Sequence, residues 1–391
     1  MNLRTFCLLL GLSLSSGAAT AQASDPGTLV ERANAGDAAA QADLAVIYND
    51  GVIVTQNFAR AAEWAALAAE AGDAKAQNLL GRYLHTGLGG KRDQQQAVHW
   101  LGLAAETGDP DYLHDLANAL ENGADGSSDP AAAAKFYEMA AKAGHAEAAI
   151  SLGVLYQEGR GVEQDHAKAK ALYEGPAAEG HARAQNNLGL LYVRGQGAPQ
   201  DYERAVQLFQ ASAAQGFSKA MRNLGVMYEN GFGVPFDEER AVELYRQAGM
   251  REAGPALIYD PRLAPPPSDQ AALNDLQVMA RAGDPVAQFQ VAWLLASDVD
   301  APFENKAAAA GLFQDAAKAG HGPSMINLGL MYFHGVGVPL DFVLGQMWVT
   351  LAAAAGQKDA TTTSMEFASR MTAEQVGQAQ RMAEEYAKES R

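Results

Sequence analysis

Nine glycines set the frame of this chain. Gly36, Gly72, Gly108, Gly144, Gly180 and Gly216 follow one another at steps of 36 residues. Gly283, Gly320 and Gly356 resume the series at steps of 37 and 36. A fixed period in the range of roughly 20–50 residues marks a solenoid, in which each unit buries its apolar face against its neighbours. One period, Gly180 to Gly216, reads as two helices and two turns. Leu188 and Tyr192 stand four apart, on one face of the first helix. The turn is Gly195-Gln196-Gly197-Ala198-Pro199. Asp201 suits the N-cap of a second helix carrying Ala205, Leu208, Phe209, Ser212 and Ala213, and Gly216 suits the left-handed residue that closes it.

The same residue types recur in register. Leu44, Leu80, Leu116, Leu152, Leu188, Leu224 and Leu328 lie eight positions after a closing glycine. Ala45, Gly81, Ala117, Gly153, Gly189, Gly225 and Gly329 follow them, small enough for a second helix to approach closely. Tyr48, Tyr156, Tyr192, Tyr228 and Tyr332 come one turn later. Asp93, Asp129, Asp165, Asp201, Asp237 and Asp341 occupy the second N-cap. The second helix then carries a bulky side chain: Trp64, Trp100, Phe136, Leu172, Leu208, Leu244 or Trp348.

The A-x-x-x-L-G-x-x-Y block, the G-x-G-V turn, the D-x-x-x-A cap and the A-A-x-x-G close resemble the Sel-one-like repeat (SLR) family, relatives of the tetratricopeptide repeat. GHAEAAISLGVLYQEGRGVEQDHAKA and GPSMINLGLMYFHGVGVPLDF are especially good matches. The resemblance covers nearly the whole chain after its N-terminal segment. It implies an all-α fold, a right-handed α/α superhelical solenoid of helix hairpins. It also implies a role in protein–protein interaction, as scaffold, adaptor or regulator.

Residues 1–23 have the order of a secretory signal: Arg4, an apolar run from Phe6 to Leu14 too short to span a bilayer, and Ala21-Gln22-Ala23 as a cleavage site. A chain beginning at Ser24, in the periplasm or secreted, is the expectation. Cys7, the one cysteine, leaves with that segment, so packing rather than disulfides must hold the repeats. No later apolar run has the length of a membrane span, so membrane insertion of the mature chain is not expected. Residues 24–249 read as the N-terminal block of repeats, 250–269 as a proline-rich bend or degenerate repeat, 270–357 as the C-terminal repeats and 358–391 as capping helices. For the middle segment we favour a degenerate repeat, with Glu252 to Tyr259 as a short first helix and Gln270 to Ala282 as the second. Pro176, inside a second helix, should kink it. Thr372, with Glu374 and Gln375 behind it, reads as the start of a closing helix with a polar outer face.

The composition narrows the function. A net charge of −17 argues against nucleic acid as a partner. There is no G-x-S-x-G, H-E-x-x-H, C-x-x-C or phosphate loop, so no catalytic residue, cofactor or metal is assigned. His145, His181 and His321 each follow a closing glycine where Asp37, Asp73, Asp109 and Asp284 stand in other units. They read as helix caps, separated by helices about 10 Å wide. Asn187, Asn223 and Asn327 read as bonds to neighbouring backbone between helices. Some cysteine-rich relatives are linked to penicillin binding or β-lactam hydrolysis, but their one disulfide per repeat has no counterpart here. An envelope enzyme of that kind is therefore the disfavoured alternative.

The resemblance places first helices on the concave face. Their solvent side carries Asn78, Arg82 and His85 in unit two, Arg183, Asn186 and Arg194 in unit five, and Lys219, Arg222 and Asn230 in unit six. This basic, amide-bearing strip in an acidic chain suits a partner carboxylate or acidic loop.

Overall fold

The computed structural model describes residues 26–52, 54–123, 127–252, 257–298 and 301–389. Among them every regular element is an α-helix. The signal-like segment lies outside the described residues. A lone helix, α1 (Pro26–Asn34), is followed by six hairpins. These are α2 and α3 (Ala38–Asp50, Phe58–Glu70), α4 and α5 (Ala74–Thr86, Gln94–Ala105), and α6 and α7 (Pro110–Glu121, Pro130–Lys142). Then come α8 and α9 (Ala146–Glu158, His166–Ala178), α10 and α11 (Ala182–Arg194, Tyr202–Ala214), and α12 and α13 (Ser218–Asn230, Glu238–Glu252). After the proline-rich segment, α14 (Gln270–Arg281) leads into α15 and α16 (Pro285–Ala296, Phe303–Lys318) and α17 and α18 (Gly322–His334, Phe342–Ala354). Two further helices, α19 (Ala360–Ser369) and α20 (Ala373–Glu389), end the chain. The whole is an α/α solenoid.

The register explains the hairpins. Asp37, Asp73, Asp109 and Asp284 each accept a backbone N–H in the first turn of a first helix, and His145 and His321 do so through Nδ1. His181 occupies the same position without a side-chain bond. Left-handed glycines follow the second helices; at Gly180, φ is +97°. The residue after it returns a bond to the last turn, as His181 N does to Pro176 O at 2.9 Å. Helix α9 is unbroken at Pro176, which lies in its last turn. A Cβ on Gly189 would stand 2.7 Å from Phe209 Cε1, so glycine there sets how closely α11 packs on α10.

Four buried glutamines form a further bond that repeats with the period. Gln41, Gln77, Gln185 and Gln288 each donate to a carbonyl eight residues back: Ala33, Ala69, Ala177 and Ala280. Those carbonyls lie in the last turn of the preceding helix, where no intrahelical donor remains. First helices of successive units also approach one another, α2 with α4 and α4 with α6.

Half of the expected short helix from Glu252 to Tyr259, residues 253–256, falls outside the described residues. Before them helix α13 ends at Glu252, and after them Leu257 to Ser268 hold no helix. Pro261, Pro265, Pro266 and Pro267 lack the N–H that a helix ladder requires.

The last two helices meet the first unit. Ser364 donates to Gln56 Oε1 (2.5 Å) and receives the Gln346 amide (2.7 Å), all three residues being buried. Thr361 Oγ1 donates to the Asp50 carbonyl, Phe58 N–H to Gln380 Oε1 (3.0 Å) and Asn57 Nδ2 to Glu384 Oε1 (2.6 Å). Phe58, Ala61 and Tyr83 share an apolar cluster with Ala368 and Val376. The stack thus closes end to end, with Val376, Ala379, Gln380 and Ala383 of α20 buried and Glu374, Gln378, Arg381 and Glu385 exposed on its other side. Thr372 caps α20 reciprocally: Gln375 N donates to Thr372 Oγ1 and Thr372 N to Gln375 Oε1.

Candidate protein-binding face

Positions three, six, seven, ten and fourteen after a closing glycine fall on one face of each first helix. In unit two this face meets the next unit. Asn78 is 6% exposed and donates to Asp115 Oδ2 of the next unit at 3.0 Å. Arg82 lies 3.8 Å from the same carboxylate, and His114 Nδ1 is 3.6 Å from its other oxygen. Burial pushes the Asp115 carboxyl up, but His114, the Arg82 guanidinium and the Asn78 amide outweigh it and hold it below its ordinary value. His85 pairs through Nδ1 with Gln94 Oε1.

Units five and six repeat the ladder with neutral groups. Asn186 is 3% exposed and accepts from Asn223 Nδ2 at 2.8 Å, while its own amide donates to Asn187 Oδ1. Arg183 reaches back to Glu147 of unit four at 2.9 Å. Asn78 and Asn186, expected on the solvent side, are therefore buried links between units. Arg194, Lys219, Arg222 and Asn230 are exposed. Asn230 donates to the Val226 carbonyl, and Val226, between Arg222 and Asn230 on the same face, is 43% exposed. Of the eight expected residues, Asn78, Arg82, Arg183 and Asn186 reach a neighbouring unit, and Arg194, Lys219, Arg222 and Asn230 are exposed. Asn223 bonds another side chain rather than neighbouring backbone, because the next first helix brings its amide against Asn186.

The histidines that follow closing glycines do not meet one another. Instead His145 stacks on His114 of unit three, with ring centroids 4.5 Å apart, and its Nε2 lies 3.4 Å from Asp111 Oδ1. Among the described residues, no three His, Cys, Asp or Glu side chains converge as a metal-binding group. No helix among them is long and apolar enough to cross a membrane.

The family model for the Sel1 repeat matches this chain eight times, at residues 38–73, 74–109, 110–145, 146–174, 182–217, 218–251, 285–321 and 322–357. The chain belongs to the Sel1 repeat family. The unmatched stretch between the sixth and seventh Sel1 repeats holds the proline-rich segment and α14. Among solved structures, the chain is similar to a protective antigen of uropathogenic Escherichia coli that displays an SLR fold. Identity is 27%, coverage is 92% of this chain and 86% of that one, and the TM-score is 0.50. A Sel1 repeat protein from Oxalobacter formigenes is 25% identical over 87% of this chain and 89% of its own, with a TM-score of 0.43. No curated protein matches the chain. Sel1 repeat proteins are generally protein-interaction scaffolds, and their solenoid is typically non-enzymatic.

Proposed function

We propose that this chain is a non-enzymatic scaffold or regulator of the bacterial envelope that holds an acidic protein segment against the inner face of α10 and α12. The observation that carries the reading is the exposed set Arg194, Lys219 and Arg222 in a chain of net charge −17. Exposed cations on these first helices suit charge-assisted bonds to a carboxylate, and Val226, between Arg222 and Asn230 on α12, adds an apolar seat. The envelope location rests on the signal-like order of residues 1–23.

In-cell cross-linking of the tagged protein tests both parts. The expected product is a periplasmic chain beginning at Ser24, coupled to one dominant partner. A variant with Arg194, Lys219 and Arg222 changed to Glu should lose that partner. Equal capture by the variant removes the strip from consideration, and a full-length cytoplasmic chain removes the envelope reading.

A further inference from the structure

This face of the first helices changes character along the stack. In units five and six, positions six, seven and ten are Asn186, Asn187 and Leu190, then Arg222, Asn223 and Val226. In the last two units they are Phe289, Gln290 and Trp293, then Ile326, Asn327 and Leu330. This apolar face is covered by the chain's own residues 257–264, Leu-Ile-Tyr-Asp-Pro-Arg-Leu-Ala. Leu257, Ile258, Tyr259 and Leu263 pack on the cluster that contains Phe289, Ile326 and Leu330.

The segment is held as a bound peptide is held. Asn327 Oδ1 accepts the Ile258 N–H and Asn327 Nδ2 donates to the Ile258 carbonyl, both at 2.8 Å. One amide side chain thus takes both main-chain groups of one residue, without regard to its side chain. At the same register position one unit earlier, Gln290 donates to Tyr259 Oη (2.8 Å) and the Ala264 carbonyl (3.2 Å). The Tyr259 ring lies against Phe289 and edge-on to Trp293, with centroids 5.6 and 5.0 Å away. Asp260 is buried, bonded to Arg262 and 3.8 Å from His321 Nε2. Asn327 is 0% exposed beneath the segment, whereas Asn187 and Asn223, at the same register, are half-buried.

We infer that the face of α15 and α17 is a binding site for an extended polypeptide of aliphatic–aromatic–acidic sequence, and that residues 257–264 are its tethered occupant. Main-chain bonds from Asn327 and Gln290 supply affinity. The Phe289–Trp293 cleft and His321 select the aromatic and acidic side chains. A partner segment of the same character enters only by displacing the tether. A short tether gives an effective concentration on the order of millimolar, so the free site binds such a peptide roughly 100-fold better than the occupied one if its own Kd is about 10 µM.

The test uses the full chain with residues 257–264 replaced by eight Gly and Ser residues, and a fluorescent octapeptide carrying the replaced sequence. Anisotropy should show saturable binding to this variant and at least tenfold weaker binding to the unaltered chain. Adding Asn327→Ala should weaken binding to the replaced chain at least tenfold. No gain over the unaltered chain, or indifference to Asn327→Ala, overturns the inference and makes the segment a fixed part of the core. Should the replaced chain fail to fold, hydrogen exchange on the unaltered chain decides. The Ile258 amide should exchange at least tenfold faster than that of Leu328, and equal protection overturns the inference. The basic strip lies on α10 and α12 and this site on α15 and α17, so changing Arg194 and Lys219 to Glu should leave octapeptide binding unchanged. Failure of either idea is therefore seen on its own.

Discussion

Glycine serves opposite ends at two helical positions of this chain. At Gly189 the missing Cβ is what admits the Phe209 ring, whose Cε1 would stand 2.7 Å from it. At Gly102, inside α5, a Cβ would meet nothing within 4 Å. Gly189→Val should therefore lower unfolding stability by about 1–3 kcal/mol through overpacking. Gly102→Ala should raise it by about 0.5–1 kcal/mol, since alanine loses less backbone entropy on folding. Urea titration measures both; a neutral Gly189→Val would mean that the helices can part without cost. The first position was legible in the sequence, because a small residue recurs there in unit after unit. The buried glutamines were not singled out, although Gln41, Gln77, Gln185 and Gln288 all lie five positions after a closing glycine.

The helices begin on a shared device with two chemistries. An aspartate cap keeps its acceptor at any pH above its carboxyl range, but a histidine cap accepts only while Nδ1 is unprotonated. His145 caps α8 and His321 caps α17 in that way. Burial holds both imidazoles below their ordinary value. His114 adds to this at His145, where Asp111 opposes it. At His321, Asp260 opposes burial and Arg262 assists it. In the unfolded chain they titrate near about pH 6.5. Below that pH the unfolded state binds more protons than the folded one, so stability present above it is lost as pH falls toward each folded pKa. Melting temperature should drop between about pH 7 and pH 5, and the double variant His145→Asn, His321→Asn should drop less, because Asn caps without titrating. Parallel curves for the two proteins would sink the argument. The caps were readable from register alone. The non-helical stretch from Leu257 was not: its length between glycines suits a repeat, but its prolines and the waiting amides of Gln290 and Asn327 keep it out of a helix.

Across the whole chain, α19 and α20 tie the last unit to the first. The N-terminus of α3 receives Gln380 Oε1 at the Phe58 N–H, and Glu384 stands beside it, where an anion suits the positive end of the helix. Removing residues 373–391 should expose Phe58 and Tyr83 and release unit one. Small-angle scattering should then give a larger radius of gyration, and amides of α2 and α3 should lose protection, while those of α10 and α11 keep theirs. An unchanged scattering profile would show that α20 does not hold the ends together. The helix hairpins, their caps and the apolar seam were all written in the periodic residues, because each unit packs only on its neighbours and local spacing specifies those contacts. End-to-end closure and the covering of the α15–α17 face carry no such signal. They join Gln56 to Ser364 and Ile258 to Asn327, pairs outside the repeat period, and their partners were chosen by how the folded stack curves and by which buried polar groups were left to be satisfied.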